Sequence, residues 1–138
     1  MKIPEFLDTN VLVYAYDVSD PPKRSVAQGL VKRAVAGEIV ASSQVLAEFA
    51  TTLLHKLSPP ARPEDLITIL DTLSPIRLVA TDHGLVRRAI EARATYGLHF
   101  WDCMIVAAAE RGGCEQLWSE DLNAGQEYFG VTVVNPFN

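Results

Sequence analysis

Short apolar runs alternate along the chain with longer stretches in which apolar residues recur every three or four positions. The short runs have the length of small buried strands, and the longer stretches have the period of amphipathic helices. We predict strands at residues 4–7, 38–41, 76–79, 116–118 and 131–134, and helices at residues 11–14, 22–36, 43–57, 63–73, 82–94 and 102–111. This alternation indicates an α/β fold, with a central parallel sheet of about five short strands flanked by helices.

Length and composition indicate a single folded domain. The chain has 138 residues, of which 49% are hydrophobic and 21% are charged. This balance is typical of a globular protein and too apolar for a disordered one, and the length suits one buried core. We therefore predict one domain over residues 1–138. The sequence shows neither a membrane-spanning run nor the pattern of a secretory signal, so we expect a cytoplasmic location.

Charge and residue spacing argue against several kinds of chemistry. The formal net charge of −5 is unlike that of a general electrostatic nucleic-acid binder, which carries a basic excess. It does not exclude a metal-dependent one, because the metal brings positive charge to the phosphate. Cys103 and Cys114 lack the CxxC spacing, so we expect free, inert thiols. His55, His83 and His99 lack the HxxxH or HExxH spacing of a zinc site, although His99 is close in sequence to an acidic candidate.

Four carboxylates occupy comparable places in the predicted fold. Asp8 follows the first strand in "EFLDTN", and Asp121 follows the fourth strand in "LWSEDLNAG". Glu48 borders the apolar stripe of the helix at residues 43–57, and Asp102 opens the helix at residues 102–111. In a parallel α/β sheet the functional crevice lies beyond the carboxyl ends of the strands. We therefore expect these four side chains to lie on one edge of the sheet.

Each of these carboxylates also has an ordinary structural interpretation when it is taken alone. Asp102 could be a helix N-cap, Asp8 and Asp121 could be turn residues, and Glu48 could be the solvated flank of its helix. Four carboxylates in one crevice repel one another, so either their pKa values rise or a cation is present. Oxygen-only ligands select a hard cation, and Mg²⁺ or Mn²⁺ suits such a site. Together, the four acids predict an acidic, metal-requiring site.

The ordered segments "FLDTNVLVYAYD", "SSQVLAEF", "HFWDCMIVAAAE" and "LWSEDLNAG" resemble those of the PIN-domain ribonucleases. The similarity is greatest to the VapC-type toxins of bacterial and archaeal toxin–antitoxin pairs, and it covers essentially the whole chain. The resemblance implies a metal-dependent endoribonuclease that uses Mg²⁺ or Mn²⁺. By the same resemblance, the catalytic and metal-site residues are Asp8, Glu48, Asp102 and Asp121, with Asn10 and Ser119 in supporting roles that orient the carboxylates.

Several details of this site stay open at the level of sequence. Glu120 stands beside Asp121, and we favour Asp121 as the ligand because the resembling family generally uses the second position. The proton acceptor is Asp102 or Asp121, and four acids can support one metal ion or two. A local strip of basic residues would then contact the substrate, and the candidates are Lys23, Arg24, Lys32, Arg33, Arg87 and Arg88.

The resemblance also implies partners. They are a structured RNA as substrate, a cognate antitoxin protein and a second copy of the chain in a homodimer, with "PKRSVAQGLVKRAV" and the helix at residues 43–57 as candidate contact surfaces. An acidic crevice would receive an arginine from an antitoxin, because a guanidinium bonds carboxylates in a bidentate manner. We expect no membrane partner.

Two alternative functions remain. A haloacid-dehalogenase-like phosphotransferase would form an aspartyl phosphate on Asp8. That class needs the pattern DxDx[TV], whereas this chain has Asp8-Thr9-Asn10 and lacks the second aspartate. The other alternative is a non-catalytic PIN module that only binds RNA or protein, and the four intact acids weigh against it.

Overall fold

A computed structural model describes residues 3–138. In chain order the elements are β1 (Glu5–Leu7), α1 (Thr9–Tyr14), α2 (Pro21–Val35), β2 (Ile39–Ser42), α3 (Ser43–His55), α4 (Pro63–Thr72), β3 (Leu78–Val79), α5 (His83–Tyr96), α6 (Phe100–Arg111), β4 (Gln116–Trp118), β5 (Glu127–Tyr128) and β6 (Val131–Val134).

The strands form one sheet in the order β3-β2-β1-β4-β6-β5. The neighbouring pairs from β3 to β6 are parallel, and β5 alone runs antiparallel to its neighbour β6. The predicted α/β class, with a mostly parallel sheet flanked by helices, is confirmed. The central strand β1 lies between β2 and β4, so the chain that leaves it at Asp8 emerges in the middle of one sheet edge.

The core explains why the strands are short and continuously apolar. Phe6 and Leu7 of β1 are fully buried, and every residue of β2 is buried. Helix α6 is buried over residues 103–109 without interruption and contacts α5, β2 and β6. Strands that are covered on both faces need no polar alternation, which is why runs of only three or four apolar residues suffice.

The sheet has six strands, whereas about five were predicted. The additional strand, β5, forms a hairpin with β6 that was not predicted. Tyr128 of β5 pairs with Val131 of β6, and the two residues between them both have positive φ, 50° at Phe129 and 81° at Gly130. Such a turn requires two left-handed residues, and glycine adopts this conformation at no steric cost. Phenylalanine is not typical of such a turn, so the residue pattern did not predict the hairpin. The guanidinium of Arg88 lies 3.6 Å from the centroid of the Phe129 ring and packs against this turn.

Helices α5 and α6 each begin at a different residue from the one predicted, because the N-cap residue sets where each helix starts. Helix α6 begins at Phe100, so Asp102 lies within its first turn instead of opening it, and His99 is the N-cap without a side-chain bond. Helix α5 begins at His83, because Asp82 is the N-cap and accepts a bond from the Leu85 amide. Pro4 has no N–H to donate and lies outside β1. The other bounds shift by one or two residues.

Cys103 and Cys114 are buried free thiols, in agreement with the prediction, and burial raises the pKa of Cys114 to about 11. Within residues 3–138, none of the helices combines the length and the hydropathy of a membrane span.

Candidate active site

Asp8 is held at the carboxyl end of β1 by neutral donors. Its Oδ1 accepts the Thr9 amide at 2.7 Å, which makes Asp8 the N-cap of α1. Its Oδ2 accepts the Ser119 hydroxyl at 2.7 Å and the Asn10 side-chain amide at 3.4 Å. Asn10 and Ser119 therefore both contact the carboxylate that they were expected to orient.

Asp8 is only 5% exposed. Burial raises the pKa of Asp8 to about 6, and the nearby Asp121 and Asp102 carboxylates add to the increase. The hydrogen bonds from Ser119 and Thr9 act in the opposite direction. The hydrogen bonds from neutral groups therefore only partly offset the effect of burial on the pKa of Asp8.

Glu48 is positioned by the packing of α3. The apolar stripe of this helix, including Phe49 and Leu53, is buried, and Glu48 lies half-buried at its border. Its Oε1 accepts the Thr9 hydroxyl at 2.8 Å and the Gln44 amide at 3.3 Å. Thr9 thus joins the two acids, because its amide binds Asp8 and its hydroxyl binds Glu48.

Asp102 and Asp121 differ from the first two acids in having no such support. Within residues 3–138, neither carboxylate accepts a hydrogen bond from a protein group. Burial raises the pKa of Asp102, the nearby Asp121 and Glu48 carboxylates raise it further, and His99 lowers it. His99 therefore lies near the site, as its place in the sequence suggested.

Glu120 and Asp121 are neighbours with different surroundings. The Glu120 carboxylate accepts the Tyr14 hydroxyl at 2.8 Å and forms an ion pair with Lys23. Partial burial alone would raise the pKa of Glu120, but Lys23 and Tyr14 hold it below its usual range. Its backbone amide also donates to Asn10 at 3.1 Å. Glu120 is thus a paired carboxylate, which supports the choice of Asp121 as the metal-site candidate.

A cavity of about 1030 Å³ brings the four predicted acids together. Asp8, Glu48, Asp102 and Asp121 all line it, although they come from four separate segments. Asn10 also lines it, whereas Ser119 is fully buried beneath Asp8. The described residues that line the cavity include one base, Lys56.

None of the six predicted basic residues lines this cavity, although Lys23 contacts Tyr14 and Glu120, which do. Lys23, Arg33 and Arg88 instead form ion pairs with Glu120, Glu5 and Glu110. The sequence shows which residues are basic, but a carboxylate partner from a distant segment decides whether each one is available to a phosphate.

Sequence reasoning missed Thr9 and Gln44 as parts of this site. Thr9 lies inside the segment "LDTN" that drew attention to Asp8, so its position was a usable signal. Gln44 precedes Glu48 by four residues on one helix, a spacing at which side chains meet. Both could have been proposed as supports of the acids from these spacings.

The donor set suits a hard divalent cation. The four predicted acids at the cavity offer only oxygen atoms, and within residues 3–138 none of these four forms an ion pair with lysine or arginine. Burial, together with the neighbouring acids, raises the pKa values of Asp8 and Asp102. As the side chains of residues 3–138 stand, no group of three or more His, Cys, Asp or Glu could hold a metal ion. The acids therefore supply suitable ligands but would have to move closer together around a cation.

Known proteins share this fold. A family model described as PIN domain matches residues 6–126. No curated protein matches the chain by sequence. Among solved structures, the chain is similar to a toxin–antitoxin complex from Klebsiella pneumoniae, with a TM-score of 0.68 and 20% identity over 96% of this chain and 97% of that chain.

Two further solved structures are similar. VapBC2 from Rickettsia felis, bound to a DNA fragment of its promoter, gives a TM-score of 0.64 and 20% identity over 94% of this chain and 96% of that chain. VapC20 from Mycobacterium tuberculosis, described as a toxin that cleaves the sarcin–ricin loop, gives a TM-score of 0.62 and 19% identity over 84% of this chain and 90% of that chain. At these identities the similarity shows a shared fold.

Proposed function

The chain belongs to the PIN-domain family, and on that premise we propose that it is a metal-dependent endoribonuclease and the toxin of a toxin–antitoxin pair. One observation carries the proposal. Four carboxylates from four segments line one cavity, and within residues 3–138 none of them forms an ion pair with a basic side chain. By contrast, Glu120, which also lines the cavity, is paired with Lys23, and Glu5 is paired with Arg33. The lack of a basic partner at the four acids favours a bound cation.

In this proposal Asp8, Glu48, Asp102 and Asp121 would hold Mg²⁺ or Mn²⁺. When bound, the cation would act as a Lewis acid that neutralises charge on the phosphate and lowers the pKa of a bound water. Ser119 and the Thr9 amide fix the orientation of Asp8, and the Thr9 hydroxyl and Gln44 fix Glu48.

Asp102 and Asp121 have a different role from the two fixed acids in this proposal. Within residues 3–138 their carboxylates accept no hydrogen bond from the protein, so whichever of the two is left free of the cation would accept the proton of the attacking water. Asp102 lies half-buried in the first turn of α6, and Asp121 is exposed in the loop after β4. Comparison of Asp102→Asn and Asp121→Asn by pre-steady-state cleavage would distinguish the two.

The proposal is tested by incubating purified, partner-free protein with total RNA, with Mg²⁺ or Mn²⁺ and with chelator. We expect cleavage only with the metal, products with a 5′-phosphate and a 3′-hydroxyl, and no cleavage by Asp8→Asn. Asp71→Asn is the matched control, because Asp71 is exposed on α4 and does not line the cavity. A 2′,3′-cyclic phosphate, or cleavage that persists in chelator, would contradict the mechanism.

The mechanism also predicts that the substrate's 2′-hydroxyl is not the nucleophile. An RNA with a single 2′-deoxy nucleotide at the cut site should therefore still be cleaved, and chelator should abolish cleavage of both substrates. Complete resistance of the deoxy-substituted RNA would exclude attack by water even if RNA is the substrate.

The partners are part of the same proposal. An arginine from a cognate antitoxin would occupy the acidic cavity, so antitoxin and metal should compete. If antitoxin affinity is unchanged in Glu48→Gln and Asp102→Asn, the arginine hypothesis is wrong. A homodimer would use α2, which exposes Val26 and Val35, together with α3. Sedimentation of wild type and Val26→Asp tests this, because a charge in an apolar interface should shift the population to monomer.

The alternative functions have less support. The matching family model is the PIN domain, which gives no support to a haloacid-dehalogenase-like enzyme. Asn10, at the position where that class needs a second aspartate, instead donates to Asp8 and accepts from the Glu120 amide. A non-catalytic binding module would be the conclusion if the cleavage experiment detects RNA binding without products.

A further inference from the structure

Trp101 is exposed at the wall of the cavity that contains the four acids. It exposes 52% of its surface, although tryptophan has the largest apolar side chain. It precedes Asp102 in the first turn of α6, and both residues line the cavity. We propose that Trp101 is a stacking platform for an unpaired base of the RNA substrate, next to the phosphodiester that the acids act on. This inference rests on the proposed function.

The indole is supported from the protein side. The Phe100 ring contacts it edge-on, with 5.2 Å between ring centroids and 73° between planes. The Trp101 carbonyl accepts the Gln44 side-chain amide at 3.3 Å, and the same amide lies 3.3 Å from Glu48. The platform is thus connected to an acid of the site through one side chain. A supported aromatic ring loses little conformational entropy when a ligand stacks on it.

The charge of the cavity favours stacking over ion pairing as the way to hold RNA. Among the described residues that line it, six are acids and one, Lys56, is a base. Ion pairs with phosphates are therefore scarce at this wall. Stacking of a base on an aromatic ring needs no positive charge and accepts any base, because every base has a π-face.

The volume of the cavity is consistent with a nucleotide beside a cation. At about 1030 Å³ it lies at the upper end of the range for small-molecule sites. Ser43 and Thr81, which also line it, offer uncharged hydroxyl groups to a base edge or a ribose. A base in a duplex is already stacked on its neighbours, so a platform of this kind selects single-stranded segments and loops.

The chain contains only two tryptophans, which allows a direct measurement. Trp118 is partly buried and donates to Glu5 at 2.7 Å, and it does not line the cavity. The variant Trp118→Phe therefore leaves Trp101 as the single indole fluorophore. Combined with Asp8→Asn to prevent cleavage, it is titrated in Mg²⁺ with a 12-nucleotide unstructured RNA and with the same ribose-phosphate backbone without bases.

We expect the base-bearing RNA to quench Trp101 fluorescence and the abasic backbone to leave it unchanged. Trp101→Ala should weaken binding of the base-bearing RNA by roughly 5- to 100-fold and leave binding of the abasic backbone unchanged. Trp101→Phe should restore most of the affinity, because phenylalanine keeps a π-face. In the cleavage assay Trp101→Ala should raise KM more than it lowers kcat. Ile90→Ala is the control for loss of an exposed apolar side chain, and thermal melting verifies the fold of each variant.

The outcomes separate this inference from the proposed function. Metal-dependent cleavage by wild type with an unquenched Trp101, or equal quenching by the abasic backbone, would overturn the stacking platform alone. If neither strand is bound and no RNA is cleaved, both proposals fail. Quenching by an arginine-rich peptide but not by RNA would assign the surface to a protein partner and overturn the inference. Equal affinity of Trp101→Ala and wild type for the base-bearing RNA would also overturn it.

Discussion

Strand β1 has a carboxylate at each end, and the two differ in their partners. Glu5, at the start of the strand, forms an ion pair with Arg33 and accepts the Trp118 indole N–H at 2.7 Å. Asp8, directly after the strand, accepts bonds only from neutral donors within residues 3–138. The two acids are three positions apart in the chain, yet within residues 3–138 only Glu5 has a cationic partner.

The difference distinguishes a structural carboxylate from a candidate functional one. An acid paired with arginine has its charge compensated within the fold, so it has little electrostatic need for an external cation. Asp8 is buried with a raised pKa and with other acids nearby, so a bound cation would compensate its charge. Glu120 shows the same distinction beside Asp121, because Lys23 pairs with Glu120. Cationic pairing therefore separates Glu5 and Glu120 from the candidate metal-site acids Asp8 and Asp121.

The largest expected effect comes from removing the charge at the unpaired end of β1. Asp8→Asn should lower RNA cleavage at least about 100-fold, because a metal ligand is lost. In chelator the melting temperature should rise by a few degrees, since burial disfavours the ionised form of Asp8.

Cleavage rates and thermal melting in chelator test this pair of expectations, with Asp71→Asn as the control on an exposed helix position. A large fall in the melting temperature of Asp8→Asn would show that Asp8 is mainly the cap of α1.

Glu120 and Asp121 allow the same comparison, between a paired and an unpaired acid, at two adjacent positions. Asp121→Asn should lower cleavage about 100-fold, whereas Glu120→Gln should lower it less than about 10-fold. Glutamine can still accept the Tyr14 hydroxyl and a bond from Lys23, so the loop that carries Asp121 keeps its place. Mn²⁺ affinity, measured by paramagnetic resonance, should fall for Asp121→Asn only. The assignment is reversed if Glu120→Gln loses the metal and Asp121→Asn retains it.

Removal of Glu5, the paired acid at the start of β1, should lower the stability of the protein and leave its activity unchanged. Glu5→Ala removes the partner of Arg33 and the acceptor of Trp118, and should lower the free energy of unfolding by ~1–3 kcal/mol. Cleavage per folded molecule should stay within about twofold of wild type, because Glu5 does not line the cavity.

Urea unfolding measures the stability of Glu5→Ala, and a double-mutant cycle with Arg33→Ala isolates the ion pair. Glu115→Ala is the matched control, because this glutamate is exposed. A loss of cleavage without a loss of stability in Glu5→Ala would remove the distinction between the two ends of β1.

The smallest expected effect concerns Asp82, a paired acid near the same edge of the sheet as Asp8. A hydrogen bond from the Leu85 amide and one from Arg111 at 2.8 Å hold the pKa of Asp82 below its ordinary value of 3.8. A lowered folded-state pKa means that the stabilisation is present above the unfolded-state value and is lost as pH falls through the folded-state value.

The difference in melting temperature between wild type and Asp82→Asn should therefore be constant above about pH 5 and shrink below about pH 4. Asparagine retains the ability to cap α5, so the comparison isolates the charge. Thermal melts from pH 3 to pH 7 give the result. A difference that widens toward low pH would mean that Asp82 is not stabilised in its ionised form.

The sequence alone determined the class of fold and the segments that carry the site. Apolar runs and helical periods are local properties, so they placed five of the strands and all six helices within a few residues. The rule for the carboxyl ends of parallel strands then indicated one crevice for Asp8, Glu48, Asp102 and Asp121, and all four line one cavity. Strand β5 was not predicted. It has only two residues, and the turn that follows it contains a phenylalanine, so neither the strand nor the turn gives a periodic signal.

Only the tertiary structure decided which charged residues are paired. Glu120 meets Lys23 across 97 positions, and Glu5 meets Trp118 across 113. Thr9 reaches Glu48 across 39 positions. Such contacts depend on how segments that are far apart in sequence pack together. Apolar periodicity is a property of a short stretch of residues, so it contains no information about these contacts. The sequence therefore predicts where acids gather, whereas packing determines which of them remain without a basic partner.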